Sequence, residues 1–72
     1  MIEKKLGLRV AELRRAKKFT QQQLAEKSGY SVEFISLVER GVNAPSVAGC
    51  ELVAKALGVP ISELFEFGGS RK

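Results

Sequence analysis

The chain has no histidine and no tryptophan, its eight acidic residues are all glutamate, and it carries one cysteine. Those absences exclude most site chemistry. Without histidine or aspartate no Ser-His-Asp or Cys-His arrangement can form. Cys50 alone supplies no internal disulfide, and with no histidine to join it there is no metal site. An enzyme is therefore the weakest reading, because only Glu, Lys, Ser and one Cys remain for catalysis. A lone thiol suits a reducing, cytosolic setting. The N-terminus, Met1-Ile-Glu-Lys-Lys, has no hydrophobic signal core, and no apolar run approaches the roughly 20 residues that cross a bilayer. The expectation is a soluble cytoplasmic protein with no membrane partner, no cofactor and no evident small-molecule ligand. At 72 residues the chain makes one domain, near the size at which about 60% of the unfolded surface is buried.

Charge, by contrast, is plentiful and uneven. Residues 1–40 hold nine Lys or Arg against five Glu, whereas residues 41–72 hold three of each sign, so the first part carries the whole net charge of +4. A basic half suits a polyanionic partner, since each neutralised phosphate releases counterions. A solvated basic surface kept for solubility gives the same count.

The stretch Thr20 to Gly41 reads as two capped helices of about two turns joined by a four-residue turn, the size and order of a helix-turn-helix. Thr20-x-x-Gln23 is a capping box and Gly29 a stop. Ser31 caps the second helix, Phe34, Ile35 and Val38 keep helical spacing within it, and Gly41 can end it in a left-handed turn. Before this unit, a first helix is expected from about Glu3 to Lys17, with Leu6, Val10 and Leu13 on one face. After it, Pro45 favours a loop and Ser46 caps a helix whose buried stripe is Val47, Cys50, Val53, Ala54 and Leu57, closed by Gly58. Pro60 opens a last short helix through about Phe65. The expected fold is an all-α, compact five-helix domain over residues 1–67, with residues 68–72 a frayed tail.

With the elements placed, the chain resembles the Cro/CI-like helix-turn-helix family, also called the XRE type, whose domain is lambda-repressor-like. The carriers are Leu13-Arg14, Thr20-Gln21, Leu24-Ala25, Gly29, Ile35-Ser36, Glu39-Arg40-Gly41, Pro45-Ser46 and Val53-Ala54-Lys55-Ala56-Leu57-Gly58-Val59. Their order and spacing together make the resemblance specific. It implies a bacterial or phage source and a homodimer on a palindromic operator in double-stranded DNA. The segment from Ser31 to Arg40 would enter the major groove. The resemblance puts Thr20, Gln21, Arg40 and Asn43 on phosphates, and Val32, Glu33 and Leu37 on base edges with Ser31 and Ser36 beside them. It also implies an ion pair between Arg14 and Glu39. Val32 departs from the pattern, because relatives often place there a glutamine that braces the one at position 21.

Helical geometry agrees with the outward assignment. At about 100° per residue from Ile35, Glu33, Leu37 and Arg40 fall near 160°, 200° and 140°, away from the core. Glu33 can accept from cytosine N4 or simply repel wrong sequences and phosphates, and Leu37 is either a thymine-methyl contact or an isolated surface leucine. No arginine lies in the first turns of this helix, so DNA shape and the dimer share in specificity. Phe19 and Tyr30 read as packing residues, with the Tyr30 hydroxyl within possible reach of a phosphate. Cys50 reads as a small core hydrophobe rather than a redox sensor. Leu52, Phe65 and Phe67 are expected to form an exposed apolar patch that a two-fold partner covers.

The function expected is transcription regulation without a cofactor. So short a chain is similar to the controller proteins of restriction-modification systems or a compact phage-type repressor. The alternative, an antitoxin-like or adaptor protein-interaction module, would use the same fold.

Overall fold

The capping signals set the helix boundaries almost residue for residue. The computed structural model describes residues 1–67, and the expected tail at 68–72 lies outside the described residues. Four α-helices, α1 (Ile2–Ala16), α2 (Gln21–Ser28), α3 (Val32–Glu39) and α4 (Val47–Leu57), precede a 3₁₀ helix at Ile61–Phe65, with no strand among the described residues. At α2 the capping box is complete: the Gln23 amide donates to Thr20 Oγ1 at 3.0 Å, and the Thr20 amide donates to Gln23 Oε1 at 2.8 Å. Ser31 and Ser46 accept from the Phe34 and Gly49 amides at 3.1 and 3.0 Å. Each cap satisfies an amide that the first turn cannot.

Three helices also end alike. In α1, α3 and α4 the amides of Phe19, Val42 and Val59 reach back five residues to Arg14, Leu37 and Ala54, while Lys18, Gly41 and Gly58 reach back three. This double bond is a Schellman motif, which needs a left-handed residue at its pivot. Gly41 and Gly58 adopt φ of 79° and 74° there, and Lys18 adopts 63°. The last element is a single 3₁₀ piece rather than an α-helix. Pro60, extended at φ −65° and ψ 152°, stands at its head, and the segment is only five residues long, too short for the i to i+4 ladder to outweigh three-residue turns.

Leu6, Val10, Leu24, Ile35, Val38, Val53, Leu57 and Leu64 form the buried centre, with Leu24 and Ile35 fully enclosed. Full burial of such side chains is worth about 1.5–3 kcal/mol each. The expected stripe on α4 needs one correction, since Val47 is 84% exposed while Cys50, Val53, Ala54 and Leu57 are buried. Val47 is the first residue of α4 after its cap, so its side chain projects past the end of the core.

Two contacts that the pattern of apolar residues did not reveal hold the helices together. Arg9 on α1 donates from Nε to the Glu63 carbonyl and from Nη2 to the Glu63 carboxylate, both at 2.8 Å, which clamps the 3₁₀ helix to α1. Gly7 is buried where α1 crosses α3, and a Cβ there would overlap the Val38 carbonyl and crowd that of Glu39 at 2.9 Å. The colliding atoms are helix backbone, so neither side can yield cheaply. Gly7→Ala is therefore expected to lower stability by about 1–3 kcal/mol. Chemical denaturation checks this, and a midpoint equal to the parent's would show that the crossing has slack.

Candidate nucleic-acid interface

The second helix of the helix-turn-helix unit presents a defined surface only if its angle is fixed, and the residue that fixes it is its last. Glu39, with only 6% of its side chain exposed, accepts from Arg14 Nε at 2.6 Å on one oxygen and from Arg14 Nη2 at 3.1 Å on the other. Gln21 at the start of α2 donates to the same carboxylate at 2.9 Å, and Arg14 spends a third donor on the Phe19 carbonyl at 2.8 Å. One carboxylate thus ties α1, α2 and α3 together, and no buried side-chain nitrogen or oxygen among the described residues lacks a partner. A bidentate, fully satisfied pair is both strong and directional. With Val32 unable to brace Gln21, Glu39 takes that place, leaving Gln21 half-buried with its second amide proton and carbonyl oxygen for outside partners.

With α3 anchored from behind, its outward side carries the residues expected to read bases. Glu33, Ser36, Leu37 and Arg40 line one open depression. Glu33 and Arg40 are exposed, Ser36 and Leu37 are half-buried, and Val32 at 45% exposure flanks them. Ser31 already accepts the Phe34 amide and keeps its hydroxyl proton to donate. Asn43 is exposed in the loop that follows, its amide tied to the Leu37 carbonyl at 3.3 Å. Thr20 is exposed at the head of α2.

The cations divide by role. Arg9 and Arg14 are held in ion pairs and serve the fold. Lys27 sits 5.1 Å over the Phe19 ring, a cation–π contact that ties the end of α2 to the turn before it. Arg15, Lys17, Lys18 and Arg40 are exposed and enter no ion pair among the described residues. The Tyr30 hydroxyl packs over Gly49 of α4, at a point that a Cβ would occupy, and the Tyr30 ring stacks on Phe34 at 4.6 Å. Tyr30 is thus a packing residue, set against the core.

Cys50 is 5% exposed in the core, and burial pushes its thiol pKa up from the ordinary value, which suppresses the reactive thiolate. Among the described residues no cluster of side chains could hold a metal ion. No described helix is long and apolar enough to cross a membrane. Of the residues expected at a dimer surface, Leu52 and Phe65 are 49% and 45% exposed, and Phe65 meets Phe67 edge to face at 6.3 Å. Phe65 also lines an apolar groove of about 230 Å³ with Val47, which was expected in the core stripe, and with Ile2 and Ile61, which the sequence reading did not single out. Leu52 is not among the groove's lining residues. It stands two positions from Cys50, about 200° around α4.

Two capped helices in fixed relation, the second with a polar and half-apolar outer row, define a helix-turn-helix. A helix-turn-helix family model, HTH_3, matches residues 10–64, and the chain belongs to that family. It is 39% identical over 59 residues to the immunity repressor protein of Bacillus phage phi105, a match covering 82% of this chain and 41% of the repressor. It is 40% identical over 63 residues to an uncharacterized HTH-type transcriptional regulator, y4dJ, of Sinorhizobium fredii, covering 88% of this chain and 82% of that protein. Among solved structures it is similar to the restriction-modification controller protein C.AhdI from Aeromonas hydrophila. There the TM-score is 0.85 at 38% identity, covering 88% of this chain and 91% of the other. These relatives are named as a repressor, a transcriptional regulator and a controller protein, none of them as an enzyme.

Arg14→Ala should destabilise the fold by about 3 kcal/mol, because it leaves a nearly buried carboxylate with Gln21 alone. The double change Arg14→Met with Glu39→Leu removes the orphaned charge and should recover most of the loss. Denaturant titrations of the three proteins measure this. Midpoints that coincide would mean that the pair contributes nothing.

Proposed function

We propose that the protein is a sequence-specific, double-stranded DNA-binding transcription regulator of bacterial or phage origin, working in the cytoplasm as a homodimer on a palindromic operator with α3 in the major groove. The observation that carries the reading is the outer row of α3, Glu33, Ser36, Leu37 and Arg40, presented on a helix whose angle Glu39 locks to α1 and α2. The names of the relatives support regulation as the role. Whether the protein represses or activates follows from where its operator lies, and the phage repressor favours repression.

Thr20 and Gln21, at the head of α2, offer phosphate a hydroxyl, an amide side chain and first-turn backbone amides in a favourable dipole. Arg40 and Asn43 hold the backbone at the other end of α3. Glu33 addresses a cytosine amino group and Leu37, one turn on, a thymine methyl, with Ser31, Val32 and Ser36 closing the contact. Phosphate contacts position and base contacts specify, so the two sets are separable by experiment. Log K should fall with log salt at about −0.9 per phosphate neutralised, and Arg40→Ala should weaken all sequences alike. Glu33→Ala and Leu37→Ala should instead each relax one base position, worth about 1–3 kcal/mol of discrimination, in selections from random duplex DNA. Binding insensitive to salt would overturn the reading in favour of a protein-interaction module.

Assembly rests on the half-exposed apolar side chains. Leu52, Phe65 and Phe67 are proposed to lie at the two-fold interface, which would set two recognition helices about 34 Å apart, one helical turn of DNA. Sedimentation should show a dimer at micromolar concentration, tighter on operator DNA. A monomer both free and at one copy per operator would contradict it.

A further inference from the structure

We infer that Lys18 is a further phosphate-contacting residue, extending the DNA footprint from α2 back onto the end of α1; the inference rests on the DNA-binding reading above. Lys18 is the one non-glycine residue with positive φ among the described residues, at 63°. It occupies the pivot of a helix-ending motif that α3 and α4 build with Gly41 and Gly58. Glycine suits that pivot because it has no Cβ to press on the following carbonyl, and a lysine there costs stability.

Nothing within the described fold explains why a lysine holds the place. Its side chain is exposed and makes no hydrogen bond or ion pair with the other described residues. The negative end of the α1 dipole already has Arg14 and Arg15 in its last turn and Lys17 as its cap, so a further cation adds little to the helix. The position does supply placement. Lys18 stands two residues before the Thr20 cap and three before Gln21, at most about 10 Å of chain from the first amides of α2. A flexible four-carbon stem carrying a compact ammonium can then reach the phosphate beside the one assigned to Gln21. Arg15 and Lys17 are likewise exposed and unpaired among the described residues, so the local field has one sign. A backbone conformation that disfavours the residue, combined with an unpaired charge three residues before a binding element, is the signature of stability given up for function.

The experiment compares the parent, Lys18→Gly, Lys18→Arg and Lys55→Gln in thermal melts and in titrations of a labelled duplex across a range of salt. Lys55 is an exposed cation on α4 with no assigned contact, so its variant matches the charge lost. Lys18→Gly is expected to melt at or above the parent's midpoint, yet to bind duplex severalfold more weakly at low salt with a slope shallower by about 0.9. Lys18→Arg should restore the slope, and Lys55→Gln should keep it. Unchanged affinity and slope in Lys18→Gly, or an equal change in Lys55→Gln, would overturn the inference while leaving the DNA-binding reading standing. A parent that binds no duplex would overturn that reading and this inference together.

Discussion

The Glu39 carboxylate receives three donors from two other helices, and the geometry of the reader unit depends on it. A charge so little exposed is costly unless it is paired and hydrogen-bonded, and Arg14 and Gln21 together supply both. The consequence is structural before it is functional. The end of α3 cannot rotate without breaking contacts to α1 and α2 at once, and the backbone contact at Gly7 leaves no room for α1 to follow. An apolar core of aliphatic side chains alone would tolerate several repackings of such short helices, whereas a bidentate ion pair selects one.

From that constraint the surface sorts itself into three kinds. Where helices meet, the cations are consumed by the fold, as with Arg14 on Glu39 and Arg9 on Glu63. Around α2 and the ends of α1 and α3 they are left unpaired among the described residues, which is where a polyanion would lie. At α4 and the 3₁₀ helix, charge gives way to half-exposed Leu52, Ile61 and Phe65. The asymmetry of net charge along the sequence therefore has a spatial meaning, although counting alone could not separate paired from unpaired arginines.

Much of this was legible in the sequence because it is local. Ser31, Ser46 and the Thr20 to Gln23 box act on amides three residues away, so reading them requires no knowledge of the fold. Leu6, Val10 and Leu13 announced their buried face by spacing. What stayed hidden is long-range or depends on backbone angle. Nothing in periodicity links Arg9 to Glu63 or Tyr30 to Gly49, since those partners meet only when the helices pack. Val47 matched the apolar spacing of α4 yet sits at its solvent end. Gly7 did leave a signal, an isolated glycine inside a helical pattern, which often marks a close packing contact. Lys18 left none, as a left-handed lysine cannot be told from a helical one by its letter.

Whether the lock on α3 serves recognition as well as stability is decided by the DNA affinity of a protein that is folded without it. The variant with Arg14→Met and Glu39→Leu keeps the packing volume but removes the anchor shared by Gln21 and α3. If the lock orients the reader helix, this variant should show the parent's helical content and bind operator duplex at least tenfold more weakly, about 1.4 kcal/mol. A folded double variant that binds with the parent's affinity would contradict the account and make the Arg14–Glu39 pair a matter of stability alone.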